Sequence, residues 1–286
     1  MIDRSELFKK VFRFEITAKK FALELFSGMY ASRFRGPGIE VEDIREFQMG
    51  DDFRAIHWKR SAQMGKPYVK NFRQERDLTV FLLVDVSGSL DFGEKREMAA
   101  KLASLIAMSA FSNRDRVGLV LFSQDVEKIL LPRRGSAHTM RIVRELLSYE
   151  PLQRSTNIEA SLKTFQHLCK KKCICFIFSD FQADNFEKRL AVLAKKHDTI
   201  AVSICEKREM NKMPPHIVFE DLESGQRVFI SSEEEVAEYI KKRQEKQLLR
   251  SKAVIRTGTD LIDIDTKESP VHKLASYFSK RKRRLG

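Results

Sequence analysis

Three polar side chains stand at alternate positions directly after a strongly apolar stretch. The stretch runs from Leu78 to Val84, and Asp85, Ser87 and Ser89 follow it. Such a nearly unbroken apolar run predicts a strand buried on both faces, as in a parallel sheet covered by helices. Ligands of open α/β sheets bind where such strands end. One carboxylate and two hydroxyls suit a hard cation, Mg²⁺ or Mn²⁺.

Two later positions carry oxygen atoms in comparable places. Thr156 stands just ahead of a predicted helix, and Asp180 follows the apolar run from Cys173 to Phe178. In a right-handed parallel sheet these loops lie at the same edge as the first one, so we expect all three to converge. The sequence therefore predicts one metal site built from five residues on three loops.

Alternating strands and helices from Leu78 onward predict the architecture that positions this site. The fold class is α/β, with a doubly wound, mostly parallel sheet. The segment from Val126 to Leu131 follows the strand at 117–122 by only four residues, which is too short for a crossover, so we expect an antiparallel edge strand there. Predicted helices cover about 94–112, 137–147, 158–170, 185–196, 233–250 and 270–279.

The first 77 residues follow a different pattern. An apolar stripe from Asp3 to Phe26 predicts an N-terminal helix, and residues 28–77 predict an antiparallel β-rich region with one helical turn. Asp51 or Asp52 is placed to cap that turn, and Trp58 is expected to be its large apolar anchor. We therefore expect two domains, at 1–77 and 78–286, the second ending in a basic helix and tail.

Composition restricts the cellular setting. No apolar run approaches the roughly 20 residues that a membrane span needs, and residues 1–6 carry charges of both signs, unlike a secretory signal. A cytoplasmic location is expected. Cys169, Cys173, Cys175 and Cys205 lie in or near apolar runs, without zinc-finger spacing and without a histidine placed to complete a zinc motif, so we expect buried free thiols.

The net charge of +13 is concentrated near the C-terminus. Residues 241–286 hold 14 Lys and Arg against 5 Asp and Glu, and the run from Lys280 to Arg284 is entirely basic. Such a patch can bind nucleic acid or contact an anionic membrane surface peripherally. The alternative is a solvated helix face with a frayed tail, which is favoured because no nucleic-acid-binding motif accompanies the patch.

The set of Asp85, Ser87, Ser89, Thr156 and Asp180 resembles the metal-ion-dependent adhesion site of von Willebrand factor A domains. All five positions are filled in the order that this family uses. The resemblance implies that Ser87, Ser89 and Thr156 bind the ion directly or nearly so. Asp85 and Asp180 would act mainly through water or from behind these ligands, and the sixth position would accept a partner's carboxylate.

A second resemblance covers the region before the apolar strand. Gly38 to Glu40, Arg45 to Lys59 and Lys70 to Asp77 resemble the signature of a bacterial family known as domain of unknown function fifty-eight, in which a von Willebrand A-like domain follows. His57 stands where that family usually has Asp, and Phe47 where it often has Tyr. Relatives often have two N-terminal membrane helices, so we expect this chain to be the short soluble form.

Three functions compete. The family resemblance implies a non-enzymatic module that binds an acidic residue of a protein partner, as adaptor or co-chaperone of a MoxR-type AAA+ ATPase. A Mg²⁺-dependent hydrolase or phosphatase is the first alternative, but Ser87 replaces the second Asp of such sites and no nucleophile motif is present. Nucleic-acid or anionic-membrane binding through the basic C-terminus is the second.

Overall fold

The computed structural model describes residues 40–73, 78–91, 94–183, 185–206, 217–220, 227–230 and 232–285. The predicted N-terminal helix at 3–26 lies outside these residues. The chain contains two compact units, one at Phe34–Leu78 and one that includes Thr79–Gly286. The domain boundaries inferred from the sequence, at 1–77 and 78–286, stay a prediction.

The smaller unit is an antiparallel strand pair with two short helical segments between the strands. Strand β1 (Glu40–Glu46) pairs with β2 (Tyr68–Arg73), as predicted. A 3₁₀ turn (Phe53–Ala55) and helix α1 (Trp58–Met64) connect them. The prediction of a single helical turn is wrong because each segment has its own cap. The Asp52 carboxylate accepts from the Arg54 N–H (2.9 Å), and His57 Nδ1 accepts from the Arg60 N–H (3.1 Å).

The larger unit alternates strands and helices. Its strands are β3 (Thr79–Asp85), β4 (Arg116–Phe122), β5 (Val126–Arg133), β6 (Ile174–Ser179), β7 (Asp198–Cys205), β8 (Ile217–Glu220), β9 (Arg227–Ile230) and β10 (Asp260–Asp265). Its helices are α2 (Lys95–Ser112), α3 (Ser136–Ser148), α4 (Ile158–Leu168), α5 (Glu187–Lys196), α6 (Glu233–Arg256) and α7 (Pro270–Leu285).

One six-stranded sheet organises this unit, with the order β10-β7-β6-β3-β4-β5. Every neighbouring pair is parallel except β4 and β5, which are antiparallel and leave β5 at the edge. The predicted fold class and the antiparallel edge strand are therefore confirmed. Strand β3 lies in the middle, between β6 and β4, which explains why its sequence is apolar on both faces.

Packing around β3 fixes the centre of the sheet. Its residues from Val80 to Asp85 are all buried. Gly118 on β4 leaves space for the Phe81 ring, whose Cε1 atom lies 2.7 Å from where a Cβ of residue 118 would stand. A side chain at this position would therefore displace the ring from the core.

The basic C-terminus is more ordered than its composition predicts. Helix α7 continues to Leu285, and the Arg281 guanidinium is buried, where it pairs with Asp198 and lies 3.6 Å from Asp260. A solvated tail is therefore wrong for Arg281, because carboxylates at the start of β7 and β10 neutralise its charge. None of the described helices combines the length and apolarity that a membrane span requires.

Candidate metal centre

Asp85 is held at the end of β3 by the neighbouring strand. Val84 pairs with Phe178 of β6, so Asp85 lies beside Ser179. The Ser179 hydroxyl donates to Asp85 Oδ2 (2.7 Å), and the Ser87 N–H donates to Asp85 Oδ1 (2.9 Å). Both carboxylate oxygens are therefore engaged and the orientation of Asp85 is fixed. Ser179, a polar residue that ends an apolar strand, was not among the predicted site residues.

The two serine hydroxyls of the first loop lie next to each other. Ser87 Oγ and Ser89 Oγ are 3.1 Å apart, Ser87 being buried and Ser89 half-buried. Adjacent ligands of an octahedral Mg²⁺ stand about 2.9 Å apart, because Mg–O distances are about 2.0–2.1 Å. The spacing of this hydroxyl pair therefore suits one shared ion.

The loop that carries Thr156 contacts the first loop through the backbone. The Gly88 N–H donates to the Arg154 carbonyl (2.7 Å), and the Asn157 N–H donates to the Ser123 carbonyl beyond β4 (2.9 Å). Asn157 also caps α4, since its side chain accepts from the Ala160 N–H (2.9 Å). Half-buried Thr156 is thus brought to the same sheet edge as Asp85, as the sequence predicted.

Glu127 on β5 holds the same loop from its other side. Its carboxylate accepts from the Leu152 N–H (2.9 Å), the Gln153 N–H (3.3 Å) and the Ser123 hydroxyl. Burial alone would raise the pKa of Glu127, but hydrogen bonds from Ser123 and the loop outweigh it and lower that pKa. Sequence reasoning missed this residue. Its sequence signal is weak, because Glu127 is one of several charged side chains on the edge strand.

Asp180 carries an unsatisfied oxygen atom next to a buried ammonium. Its Oδ1 accepts from the Gln182 N–H (3.2 Å), whereas its buried Oδ2 has no hydrogen-bond partner. Lys95 Nζ lies 3.7 Å from Oδ2, and the two side chains are only 2% and 5% exposed. Lys95 begins α2, where the helix dipole disfavours a cation. That unusual placement is the one sequence signal for Lys95, which was not predicted.

The two carboxylates make the site strongly electronegative. Burial, and then the charge of Asp180, raise the pKa of Asp85 to about 7, although hydrogen bonds from Ser87 and Ser179 oppose the shift. The donors are all oxygen, one is buried without a hydrogen bond, and two hydroxyls have the separation of neighbouring ligands. These residues fit a hard divalent cation, which would compete with Lys95 for Asp180.

The turn after Asp180 has an uncommon backbone conformation. Phe181 has φ of 53°, in the left-handed region that bulky residues rarely adopt. Its ring is 2% exposed and lies 5.6 Å from the Phe186 ring, and its N–H donates to the Ser179 hydroxyl (3.0 Å). Packing of Phe181 therefore maintains a strained turn that directs the Asp180 side chain into the site.

Comparison with known proteins identifies the family. Residues 43–250 match the family described as "Protein of unknown function DUF58". The chain belongs to this family. One similar protein is "Uncharacterized protein Rv1480" of Mycobacterium tuberculosis, which is 26% identical over 233 residues, covering 78% of this chain and 73% of that protein.

Two solved structures resemble the DUF58 protein in fold. One is the conserved hypothetical protein BatB from Bacteroides thetaiotaomicron, with a TM-score of 0.46, 13% identity, and coverage of 72% of this chain and 99% of that one. The other is the SpRpn10 VWA domain, with a TM-score of 0.41, 12% identity, and coverage of 70% and 94%. Similarity at this level says nothing about the site.

The DUF58 signature forms a hydrogen-bonded turn with an exposed apolar surface. Arg45 makes two contacts with Asp51, at 2.6 and 2.8 Å, which lower the pKa of Asp51. The expectation that Trp58 anchors this region is wrong, because its side chain is 73% exposed and that of Phe53 is 72% exposed. His57 caps α1, since its ring nitrogen accepts a hydrogen bond from the Arg60 N–H.

Three soft ligands meet at the opposite edge of the sheet in this DUF58 protein. The four cysteines form no disulfide, and Cys169, Cys173 and Cys175 are buried, as predicted, whereas Cys205 is half-buried. The sequence did not indicate the histidine partner, because His197, whose Nδ1 lies 3.2 Å from Cys173 Sγ, follows that cysteine by 24 residues. Parallel pairing of β6 and β7 causes this: the Asp198 N–H donates to the Cys173 carbonyl (2.9 Å), so the residues that precede the two strands lie side by side.

Proposed function

We propose that this protein is a non-enzymatic, metal-dependent protein-binding module. In this proposal Ser87, Ser89 and Thr156 hold Mg²⁺ or Mn²⁺, while Asp85 and Asp180 act through water or from behind these ligands. When bound, the ion supplies an electrophilic position for an Asp or Glu carboxylate of a protein partner. Ligands that are mostly neutral hydroxyls support this role, because they leave more of the ion's charge for the partner.

The buried Oδ2 atom of Asp180, which accepts no hydrogen bond from the described residues, is the observation that most supports the proposal. A buried carboxylate oxygen without a hydrogen bond is costly, and each such atom in a native structure needs an explanation. The neighbouring Lys95 reduces the electrostatic cost but makes no hydrogen bond to this atom. A divalent ion, or water bound to it, would satisfy the oxygen.

Lys95 has a defined role in this proposal. Its ammonium balances the charge of Asp180 when the ion is absent, so the two nearby carboxylates do not destabilise the fold. The ion and Lys95 compete for the same oxygen. Metal affinity is therefore modest, which suits a reversible contact with a partner.

The hydrolase alternative requires Asp85 to act as a nucleophile. Asp85 is 1% exposed, and both of its oxygens accept hydrogen bonds, from Ser179 and Ser87. An attacking carboxylate needs an accessible oxygen atom directed at the substrate. The observed hydrogen bonds therefore favour a supporting role for Asp85.

Binding through the basic C-terminus also loses support. Arg281, in the middle of the basic run, is neutralised by Asp198 and is buried. It is thus not available to a phosphate group. Nucleic-acid or anionic-membrane contact through this run would depend on the remaining basic residues and would weaken steeply with salt.

The proposed partner follows from the family resemblance. We infer an adaptor or co-chaperone that works in the cytoplasm with a MoxR-type AAA+ ATPase, and either the ATPase or its substrate would supply the acidic residue. The α/β fold and the converging oxygen donors are compatible with such a module. Identification of the captured protein tests this part separately from the metal.

The test combines metal titration with affinity capture. Mg²⁺ or Mn²⁺ should raise the melting temperature of the metal-free protein, and EDTA should release captured partners. Ser87→Ala and Asp180→Ala should lose both effects while remaining folded. Ser112→Ala is the matched control, since the Ser112 hydroxyl bonds only the Met108 carbonyl of its own helix. Absence of a thermal shift with either ion, together with capture that EDTA does not affect, would refute the proposal.

A further inference from the structure

A buried group of soft ligand atoms lies at the amino-terminal edge of the sheet. Cys169 ends α4, Cys173 precedes β6, and His197 ends α5. All three are at least 94% buried, with exposed fractions of 6%, 4% and 1%. Their sulfur and nitrogen atoms lie within 4.8 Å of one another. Three separate segments therefore present ligand atoms to one small volume.

We propose that Cys169, Cys173 and His197 bind a structural zinc ion. Thiolate and imidazole together select Zn²⁺ over the hard cations proposed for the opposite edge. The ion would tie the end of α4 to the start of β6 and the end of α5. Its role is to stabilise the fold, so this proposal does not rest on the protein-binding function proposed above.

The separations of the ligand atoms are close to those around one zinc ion. Cys169 Sγ and Cys173 Sγ are 3.4 Å apart, and Cys173 Sγ and His197 Nδ1 are 3.2 Å apart. Zn–S and Zn–N distances of about 2.3 and 2.0–2.1 Å place tetrahedral ligands about 3.8 and 3.5 Å apart. For these two pairs, outward movement of about 0.3–0.4 Å would give the spacing around one ion. Cys169 Sγ and the His197 ring nitrogen lie within 4.8 Å of each other. The Lys171 carbonyl oxygen, 3.2 Å from Cys169 Sγ, offers a fourth donor.

The surroundings favour metal binding over inert packing of the three side chains. Lys196 Nζ donates to the Cys169 carbonyl (3.2 Å), so a positive charge lies next to Cys169 and helps its thiol to bind as a thiolate. His197 presents its Nδ1 atom to these thiols, 3.2 Å from Cys173 Sγ. The Phe165 ring lies 5.6 Å from the imidazole and helps to exclude water.

The test measures metal content and metal binding of the full-length protein. Protein purified without chelator should retain one equivalent of zinc by inductively coupled plasma mass spectrometry. Metal-free protein titrated with Co²⁺ should develop a thiolate-to-cobalt charge-transfer band that Zn²⁺ abolishes. Loss of a residue that hydrogen-bonds to a metal ligand weakens metal binding about 10–100-fold. Cys173→Ser removes a ligand itself and should weaken zinc binding by more than this.

Two variants serve as controls. Cys205→Ser should retain zinc, because this thiol contacts the Ile264 carbonyl near the other edge of the sheet. Asp180→Ala should also retain zinc, which separates this site from the Mg²⁺ site. Should Cys173→Ser fail to fold, the Co²⁺ titration of the unaltered protein still decides the question. Purified protein that contains no zinc and develops no Co²⁺ charge-transfer band would overturn the proposal. So would a Cys169–Cys173 disulfide in metal-free protein that has been isolated under reducing conditions.

Discussion

The two ends of strand β6 carry groups of opposite chemistry. Ser179 and Asp180 bring hydroxyl and carboxylate oxygens to the carboxyl end, whereas Cys173 joins a thiol and an imidazole at the amino end. Six residues separate them by about 20 Å. One apolar strand thus isolates a hard-ligand group from a soft-ligand group, so each edge can bind its own metal without exchanging ligands with the other.

The two edges also differ in what surrounds them. At the amino edge, the Arg281–Asp198 pair and the group of Cys169, Cys173 and His197 are buried. At the carboxyl edge, Ser89 and Thr156 are half-buried and lie on loops. Loops at the carboxyl ends of parallel strands carry the binding residues of this fold class. Changes at the amino edge should therefore lower stability, and changes at the carboxyl edge should alter the response to metal.

Loss of the buried pair at the amino edge should have the largest effect. Arg281→Met removes the guanidinium that pairs with buried Asp198, which costs about 3–5 kcal/mol of the free energy of unfolding. Urea denaturation measures this loss. The Mg²⁺-induced thermal shift should be unchanged, because Arg281 is at the edge opposite Asp180. Lys280→Met is the matched control, since Lys280 is exposed. Equal destabilisation by the two variants would contradict the distinction between the edges.

The carboxyl edge contains its own buried cation, and its removal should have a different signature. Lys95→Met leaves Asp180 without the ammonium and should lower the free energy of unfolding of the metal-free protein by about 3 kcal/mol. Mg²⁺ should recover much of this loss, so the metal-induced rise in melting temperature should exceed that of the unaltered protein. A variant that is destabilised but gains nothing from Mg²⁺ would show that Lys95 is structural only.

Local signals in the sequence predict the centre and one edge of the sheet. The apolar run at Leu78–Val84 and the short spacing before Val126 are local signals, and they predict the central strand and the antiparallel edge strand. The five expected metal ligands were proposed as a set because the order of the loops reports which strand ends meet, and their role as ligands stays a prediction. The sequence signals are thus strong where structure follows from neighbours along the chain.

Groups that act across the sheet could not be predicted in this way. Lys95 reaches Asp180 from 85 residues earlier in the chain, and His197 reaches Cys173 from 24 residues later. Neither Lys95 nor His197 belongs to a sequence motif that indicates its contact, because each contact arises from strand order and helix packing. The prediction for Trp58 is wrong for a different reason. A large apolar side chain usually indicates burial, but Trp58 is exposed in the structure.

The pH dependence of stability should identify Asp85. Its pKa of about 7 in the folded protein exceeds the usual 3.8, so the folded state binds an additional proton between these values. The free energy of unfolding therefore falls as pH rises from about 4 to about 7, at up to about 1.4 kcal/mol per pH unit. Urea denaturation of metal-free protein across this range measures the slope.

Comparison with Asp85→Asn isolates this contribution from other carboxyl groups. The variant cannot titrate, so it should become more stable than the unaltered protein as pH rises towards 7. Saturating Mg²⁺ should reduce the difference, because the ion stabilises the ionised carboxylate. Parallel pH profiles for the two proteins would mean that Asp85 ionises at its usual pKa and that the carboxyl edge is less electronegative than inferred.

The smallest effect should come from Glu127, which contacts the Thr156 loop and belongs to neither ligand set. Glu127→Gln weakens the charge-assisted hydrogen bonds to Leu152 and Gln153, each worth about 1 kcal/mol more than a neutral one. Mg²⁺ affinity, measured by calorimetric titration, should fall about fivefold, because a loss of about 1 kcal/mol in binding free energy corresponds to that factor. Zinc content should not change. Glu150→Gln, an exposed change nearby, is the control. Faster amide hydrogen exchange at Leu152 would show that the loop has loosened. If the Mg²⁺ affinity is then unaffected, Thr156 does not bind the metal, and the carboxyl edge has one ligand fewer than proposed.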